Sequence, residues 1–168
     1  MEQASLSSKM NVSDDESLTI RTCTLRDLGQ ILEIEREAFP DPYDMLTFIQ
    51  LLEMEPEGFF VAEGDGSVLG YIAAVTRDED ATVFSIAVRS GARRHGIGRR
   101  LMEAELSHLS KVAARVSLQV SVNNLAAIEL YQTLGFIEQG RLKRYYSNGD
   151  DAILMILALS PRADSKRP

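Results

Sequence analysis

Ser85-Ile86-Ala87-Val88-Arg89-Ser90-Gly91-Ala92-Arg93-Arg94-His95-Gly96-Ile97-Gly98 runs from an apolar strand through a basic turn into a helix. Thr82 to Val88 reads as a β-strand, and Gly96 to Ala113 carries Ile97, Leu101, Leu106 and Leu109 at helical spacing. The turn between them suits an anion. Gly96 and Gly98 let the backbone approach a ligand closely and adopt unusual dihedrals. A helix start offers unpaired N–H groups and the positive end of the helix dipole. Five arginines and no acid lie between Arg89 and Arg100, and guanidinium groups add charge-assisted hydrogen bonds to phosphate. Two other phosphate loops are excluded. Ile97 stands where a Walker loop has Lys, and Leu101 stands where a dinucleotide fingerprint has its third Gly.

The chain around this turn has 168 residues, 45% apolar and 26% charged, which fits one globular domain. Residues 1–17 are rich in Ser, Asp and Glu without periodicity and read as a flexible acidic tail. Residues 161–168 read as a second tail, leaving 18–160 as the folded body. No apolar run approaches ~20 residues, so no membrane span is expected, and the first 18 residues lack the apolar core of a secretory signal. Cys23 stands alone, which excludes an internal disulfide and fits a reducing, cytoplasmic compartment. His95 and His108 lie thirteen apart with no metal-ligand pattern, so no metal is expected. A net charge of −7 argues against nucleic acid as a partner. Nine acids and one base lie between Asp27 and Glu57, so the basic turn is an island suited to a small polyanion.

The remaining elements follow from periodicity and turn chemistry. Leu18 to Cys23 alternates as a strand, and Thr24 can cap the following helix, whose stripe is Leu28, Ile31, Leu32 and Phe39. Pro40-Asp41-Pro42 breaks that helix, and a second runs from Asp44 to Met54. Residues 58–63 and Val68 to Thr76 flank Gly64-Asp65-Gly66 as a hairpin. Val116 to Val120 is a strand, Asn124 to Leu134 a helix, and Phe136 to Tyr146 and Ala152 to Leu159 two further strands. The order β-α-α-β-β-β-α-β-α-β-β predicts a mixed α/β sheet of seven strands and four helices.

The basic turn resembles the acetyl-CoA loop of the GNAT acetyltransferase superfamily. Asn124-Leu-Ala-Ala127-Ile-Glu-Leu130-Tyr131-Gln-Thr-Leu-Gly135-Phe136 resembles the second signature of that superfamily. Arg144-Tyr145-Tyr146-Ser-Asn-Gly149-Asp-Asp151-Ala152 and Glu35-x-Glu37-Ala38-Phe39-Pro40 are similar to segments of protein N-terminal acetyltransferases, the ribosomal-protein type and its archaeal relatives. The resemblance implies a mostly antiparallel sheet with a V-shaped split between its fourth and fifth strands. It implies acetyl-CoA as co-substrate, held by Ile86, Ala87 and Val88, by Arg93, Arg94, His95, Gly96, Ile97, Gly98 and Arg99, and by Asn124, Ala127 and Tyr131. It implies protein or peptide N-termini as substrates, contacted by Phe39, Asp41, Tyr145 and Tyr146, with ribosome-associated proteins as candidate partners. A small-molecule amine as acceptor, or an acetyl-CoA-binding module without strong catalysis, are the other readings.

Acetyl transfer to an amine needs a neutral amine, a polarised carbonyl and a proton for the departing thiolate. The resemblance makes Tyr131 the acid. Gln119 stands where the ribosomal type carries glutamate, and Thr82 stands where other relatives carry a base; neither takes a proton. Gln119 can hold a water that relays the proton, with Glu35 or Asp41 as acceptors. A protein α-amine, with a pKa of ~7.7–8.0, is ~10–20% neutral at pH 7, whereas a lysine amine at ~10.4 is ~0.04% neutral. A site without a strong base therefore favours N-termini.

Overall fold

The computed structural model describes residues 17–159, so both expected tails, apart from Ser17, lie outside the described residues. The strands are β1 (Thr19–Thr22), β2 (Phe59–Gly64), β3 (Ser67–Arg77), β4 (Asp80–Val88), β5 (Arg115–Ser121), β6 (Ile137–Leu142) and β7 (Ala152–Ala158). The helices are α1 (Leu28–Ala38), α2 (Met45–Met54), α3 (Ile97–Leu109) and α4 (Leu125–Thr133). One seven-stranded sheet has the order β1-β2-β3-β4-β5-β7-β6. Every pairing is antiparallel except β4 with β5. The expected mixed α/β sheet is therefore present.

Each face of the sheet has its own core. Leu28, Ile31 and Ile34 of α1 and Phe48 of α2 pack with Phe59, Val61 and Tyr71 on one face. Leu101, Met102 and Leu109 of α3 and Tyr131 of α4 pack with Ile72, Val116, Leu118 and Met155 on the other. Alternation along β2 and β3 feeds both cores, as a strand buried on two faces must.

The parallel pair is short. Asp80, Ala81 and Thr82 pair with Arg115, Val116 and Ser117, and the ladder ends there. β4 continues to Val88 against β3, and β5 continues to Ser121 against β7. The sheet thus opens into a V between its fourth and fifth strands.

A bulge in β4 aims the site. Ser85 pairs with Ala73 and Val83 with Ala74, so Phe84 is the extra residue. Alternation is broken there. Val83 packs with the α3 core, and Phe84 then packs with the α1 core. Its neighbour Ser85 also reaches α1, through Glu35.

Several sequence boundaries move. Thr24 opens a separate one-turn 3₁₀ helix at Leu25–Asp27, and α1 starts afterwards. α3 stops at Leu109, because Lys111 and Val112 bond back only three residues and tighten the last turn. The strand expected over 136–146 ends at Leu142. The Arg144 amide donates to Asp151 Oδ1 at 2.8 Å, and Arg144 has φ +48°, which strand backbone does not adopt.

Candidate active site

The loop from β4 into α3 is shaped as expected, with one change of role between its glycines. Gly96 caps α3 at φ +75°, and Arg94 also lies in the left-handed region at +66°. Gly98 is an ordinary helical residue; a Cβ there would meet Leu130 and Val88 at 3.8 and 3.9 Å, ordinary contact. Within α3 the first bond back is from Arg100 N–H to Gly96 O, so the Ile97, Gly98 and Arg99 amides have no intrahelical acceptor. A helix end of this kind, beside Arg93 and Arg94, fits an anionic phosphate.

The arginines are not equivalent. Arg89 leans on Glu33 at 3.4 Å and Arg99 on Glu103 at 3.5 Å, with a further bond from Arg99 to Thr133. Arg93 donates to the Val88 carbonyl at 2.9 Å. Arg94 makes no hydrogen bond or ion pair among the described residues. His95 is exposed, with Nδ1 3.3 Å from Ala92 O. Part of the acidic run on α1 holds this loop: Glu37 accepts from Ser90 N–H and hydroxyl at 2.9 and 2.6 Å, which lowers the Glu37 pKa.

Ile86, Ala87 and Val88 lie on the stretch of β4 past the parallel ladder, with no β5 partner. Across the opening, Asn124 caps α4 by accepting from Ala127 N–H at 3.2 Å, which leaves its NH₂ group as a donor. Tyr131, one turn beyond Ala127, is 6% exposed beside the Phe136 ring. Its hydroxyl makes no hydrogen bond among the described residues. Burial, then the nearby Tyr146 phenol, pushes its pKa up, so it holds its proton at neutral pH.

Gln119 is exposed on β5 and its Oε1 accepts from the Tyr145 hydroxyl at 3.4 Å. Thr82 Oγ1 lies 3.3 Å from Ser117 Oγ, at the point where the V begins. Tyr145 and Tyr146 meet edge to face at 5.0 Å. Asp41 accepts from Ser147 N–H at 2.8 Å, tying the α1–α2 loop to the β6–β7 loop. Phe39 caps α1 in extended conformation and packs half-buried on the α1 core.

Sequence reasoning missed Tyr43, Tyr71, Phe84 and Ser85. Tyr43 stacks on Phe84 at 4.6 Å beside the opening. Glu35 is 1% exposed; its carboxyl accepts from Tyr43 N–H at 3.1 Å, from the Ser85 hydroxyl at 3.1 Å, and from the Tyr71 hydroxyl. One signal was available: Glu35 occupies the i+7 position of the apolar stripe Leu28, Ile31, Leu32. Cys23 is buried and its thiol is pushed up to about 12, chiefly by burial, so it is no nucleophile.

A split sheet with a basic helix end at the split defines a class of acyl-transferring fold. The chain belongs to the acetyltransferase (GNAT) family, which matches residues 28–136, and it is an acyltransferase. An N-alpha-acetyltransferase of Sulfurisphaera tokodaii is 40% identical over 154 residues, covering 83% of this chain and 92% of its own. The crystal structure of Ard1 from Thermoplasma volcanium superposes with a TM-score of 0.82 at 29% identity, covering 86% and 99%. That of the ribosomal-protein-S18-alanine N-acetyltransferase from Escherichia coli gives 0.77 at 31% identity, covering 90% and 99%.

Proposed function

We propose that this chain transfers an acetyl group from acetyl-CoA to the α-amine of protein and peptide N-termini, by direct attack of the amine. One observation carries the reading. β4 and β5 part after Thr82 and Ser117, and the opening joins an anion-ready helix end to a wall of tyrosines. The similarity to enzymes named for N-alpha and ribosomal-protein-alanine acetylation supports the same acceptor.

The residues present fit acetyl-CoA. The unpaired edge at Ile86, Ala87 and Val88 would bond its arm as a neighbouring strand would. The amides of Gly96, Ile97, Gly98 and Arg99, with Arg93, Arg94 and His95 around them, would hold its phosphates. Asn124 keeps a free NH₂ donor, and Ala127 is small enough to let the arm pass. When bound, the thioester supplies an activated acetyl carbonyl. Tyr131 keeps its Oη proton and would donate it to the departing thiolate. Gln119 orients water or the amine, since it has no basic atom. Tyr43, Asp41, Tyr145 and Tyr146 line the acceptor side, with Phe39 behind them. Both oxygens of Glu35 are engaged, so it serves as a fixed group under the site. Acceptors that are already partly neutral suit such a site. The reading also holds the reaction in the cytoplasm, where a lone thiol stays reduced.

Free CoA release decides it. The protein is mixed at pH 7 with acetyl-CoA and, separately, N-terminal peptides, their Nα-blocked lysine-containing forms, small amines and polyamines. Turnover is expected with free N-termini and not with blocked ones. Turnover with polyamines alone points to a small-molecule acetyltransferase, and none with any acceptor points to a binding module.

A further inference from the structure

Tyr71 and Ser85 are buried polar side chains in strands that otherwise feed a hydrophobic core; Ser85 is 6% exposed and Tyr71 0%. In the β3–β4 register Tyr71 faces Ala87 and Ala73 faces Ser85, so the two are diagonal neighbours on one face. Their hydroxyls lie 2.8 Å apart, and both donate to Oε2 of Glu35. The bulge at Phe84 puts Ser85 on that face. Oε1 of the same carboxyl accepts the Tyr43 N–H at 3.1 Å. Tyr43 in turn stacks on Phe84, the bulge residue.

We propose that Tyr71 and Ser85 are positioning residues for the acceptor: they clamp Glu35 at Oε2 so that Oε1 fixes the Tyr43 amide and seats the Tyr43 ring on Phe84. On this side the α1–α2 loop is otherwise held by ring contacts, Tyr43 meeting Phe48 edge to face at 6.4 Å. It follows the Pro40-Asp41-Pro42 break, and Asp41 holds the β6–β7 loop, not the sheet. A carboxyl held at one oxygen by two hydroxyls cannot rotate away from the amide without leaving buried donors unpaired. The clamp therefore converts strand register into loop position. The acceptor part of this inference rests on the reading of the opening as an N-terminal acetylation site; the clamp itself does not.

Two variants test it, Tyr71→Phe and Ser85→Ala, each removing one hydroxyl and keeping the Glu35 carboxyl. Amide hydrogen exchange by NMR is read at Tyr43 and, as a control, at Ala74, whose N–H is bonded to Gly58 O. Loss of one hydrogen bond, about 1 kcal/mol, corresponds to roughly fivefold. Exchange at Tyr43 is expected to quicken about fivefold in each variant while Ala74 is unmoved. Peptide KM should rise by a similar factor with acetyl-CoA KM unchanged. Unchanged Tyr43 exchange overturns the clamp, and so does equal acceleration at Ala74, which marks general destabilisation. Faster Tyr43 exchange with unaltered peptide KM in an active enzyme overturns its role for the acceptor. If wild type acetylates no peptide at all, the exchange measurement still decides the clamp, and only the functional reading fails.

Discussion

Tyr131 can lose its hydroxyl with little change in packing, because the ring contacts Phe136 and the oxygen bonds to nothing among the described residues. Tyr131→Phe should therefore keep its acetyl-CoA affinity, measured by calorimetry, while kcat falls ~10²-fold, the scale of a general acid. A kcat near wild type would remove Tyr131 from the chemistry. Glu105 on α3 matters for stability instead. It is 0% exposed, both oxygens lack hydrogen-bond partners among the described residues, and burial followed by the Glu55 charge pushes its pKa up to about 8. Between about 4.5 and 8 the unfolded chain releases this proton and the folded one keeps it, so rising pH favours unfolding. Glu105→Met should raise Tm at pH 8 by about 5 °C or more, given ~2–4 °C per kcal/mol at this size. The gain should shrink toward pH 5. A Tm difference that is constant with pH would contradict the assignment. Glu35 and Glu105 both occupy apolar helical stripes, so each was visible in the sequence as a misplaced charge. What surrounds each one was not visible: Tyr71 and Ser85 reach Glu35 from strands 36 and 50 residues along, and the charge acting on Glu105 is that of Glu55, at the end of α2.

The elements that periodicity alone specifies, α1, α3 and the β2–β3 hairpin, lie where the sequence puts them. Their ends differ for local reasons, a 3₁₀ turn before α1 and three-residue bonds after Leu109, and β6 stops after Leu142 where Asp151 takes the Arg144 amide. The bulge in β4 had no local signal: Val83-Phe84-Ser85 reads as regular alternation, and only pairing with Ala73 and Ala74 reveals the extra residue. The glycine loop was more legible, since a helix start after a strand fixes its own free amides. The two glycines nevertheless do different work. Gly96 supplies a left-handed backbone, whereas Gly98 has ordinary helical backbone and a Cβ there would meet only Leu130 and Val88 at contact distance. Gly98→Glu should therefore fold, with an unchanged far-UV spectrum. Its carboxylate would stand at the anion-binding end of α3, so acetyl-CoA affinity by calorimetry should fall tenfold or more, ~1.4 kcal/mol. Undiminished affinity would move the phosphate site off this helix end.

Among the described residues, the molecule joins a helix end suited to an anion to a tyrosine-lined mouth without placing a free carboxyl between them. Gln119 bonds Tyr145, Thr82 lies against Ser117, Glu35 is fully engaged and Asp41 holds Ser147. The pH dependence of the reaction then belongs to the acceptor. For a peptide N-terminus kcat/KM should climb nearly tenfold per pH unit below ~7.7–8.0 and level above it, following the neutral amine. A lysine side chain should still be climbing at pH 10. At pH 7 the neutral fractions, ~10–20% against ~0.04%, favour the N-terminus several hundredfold before any contact is counted. Tyr131, with its pKa raised, imposes no descending limb in this range. Gln119→Glu tests the same logic from the other side. A carboxylate with a reference pKa of ~4.3 on β5 can accept the proton near the amine, so the profile should flatten between pH 6 and 8 and gain most at the acid end. A wild-type profile already flat from pH 6 to 9 would mean that the chain supplies a base of low pKa. Asp41→Asn and Glu35→Gln would then be measured next, and restoration of the rising limb in one of them would identify it.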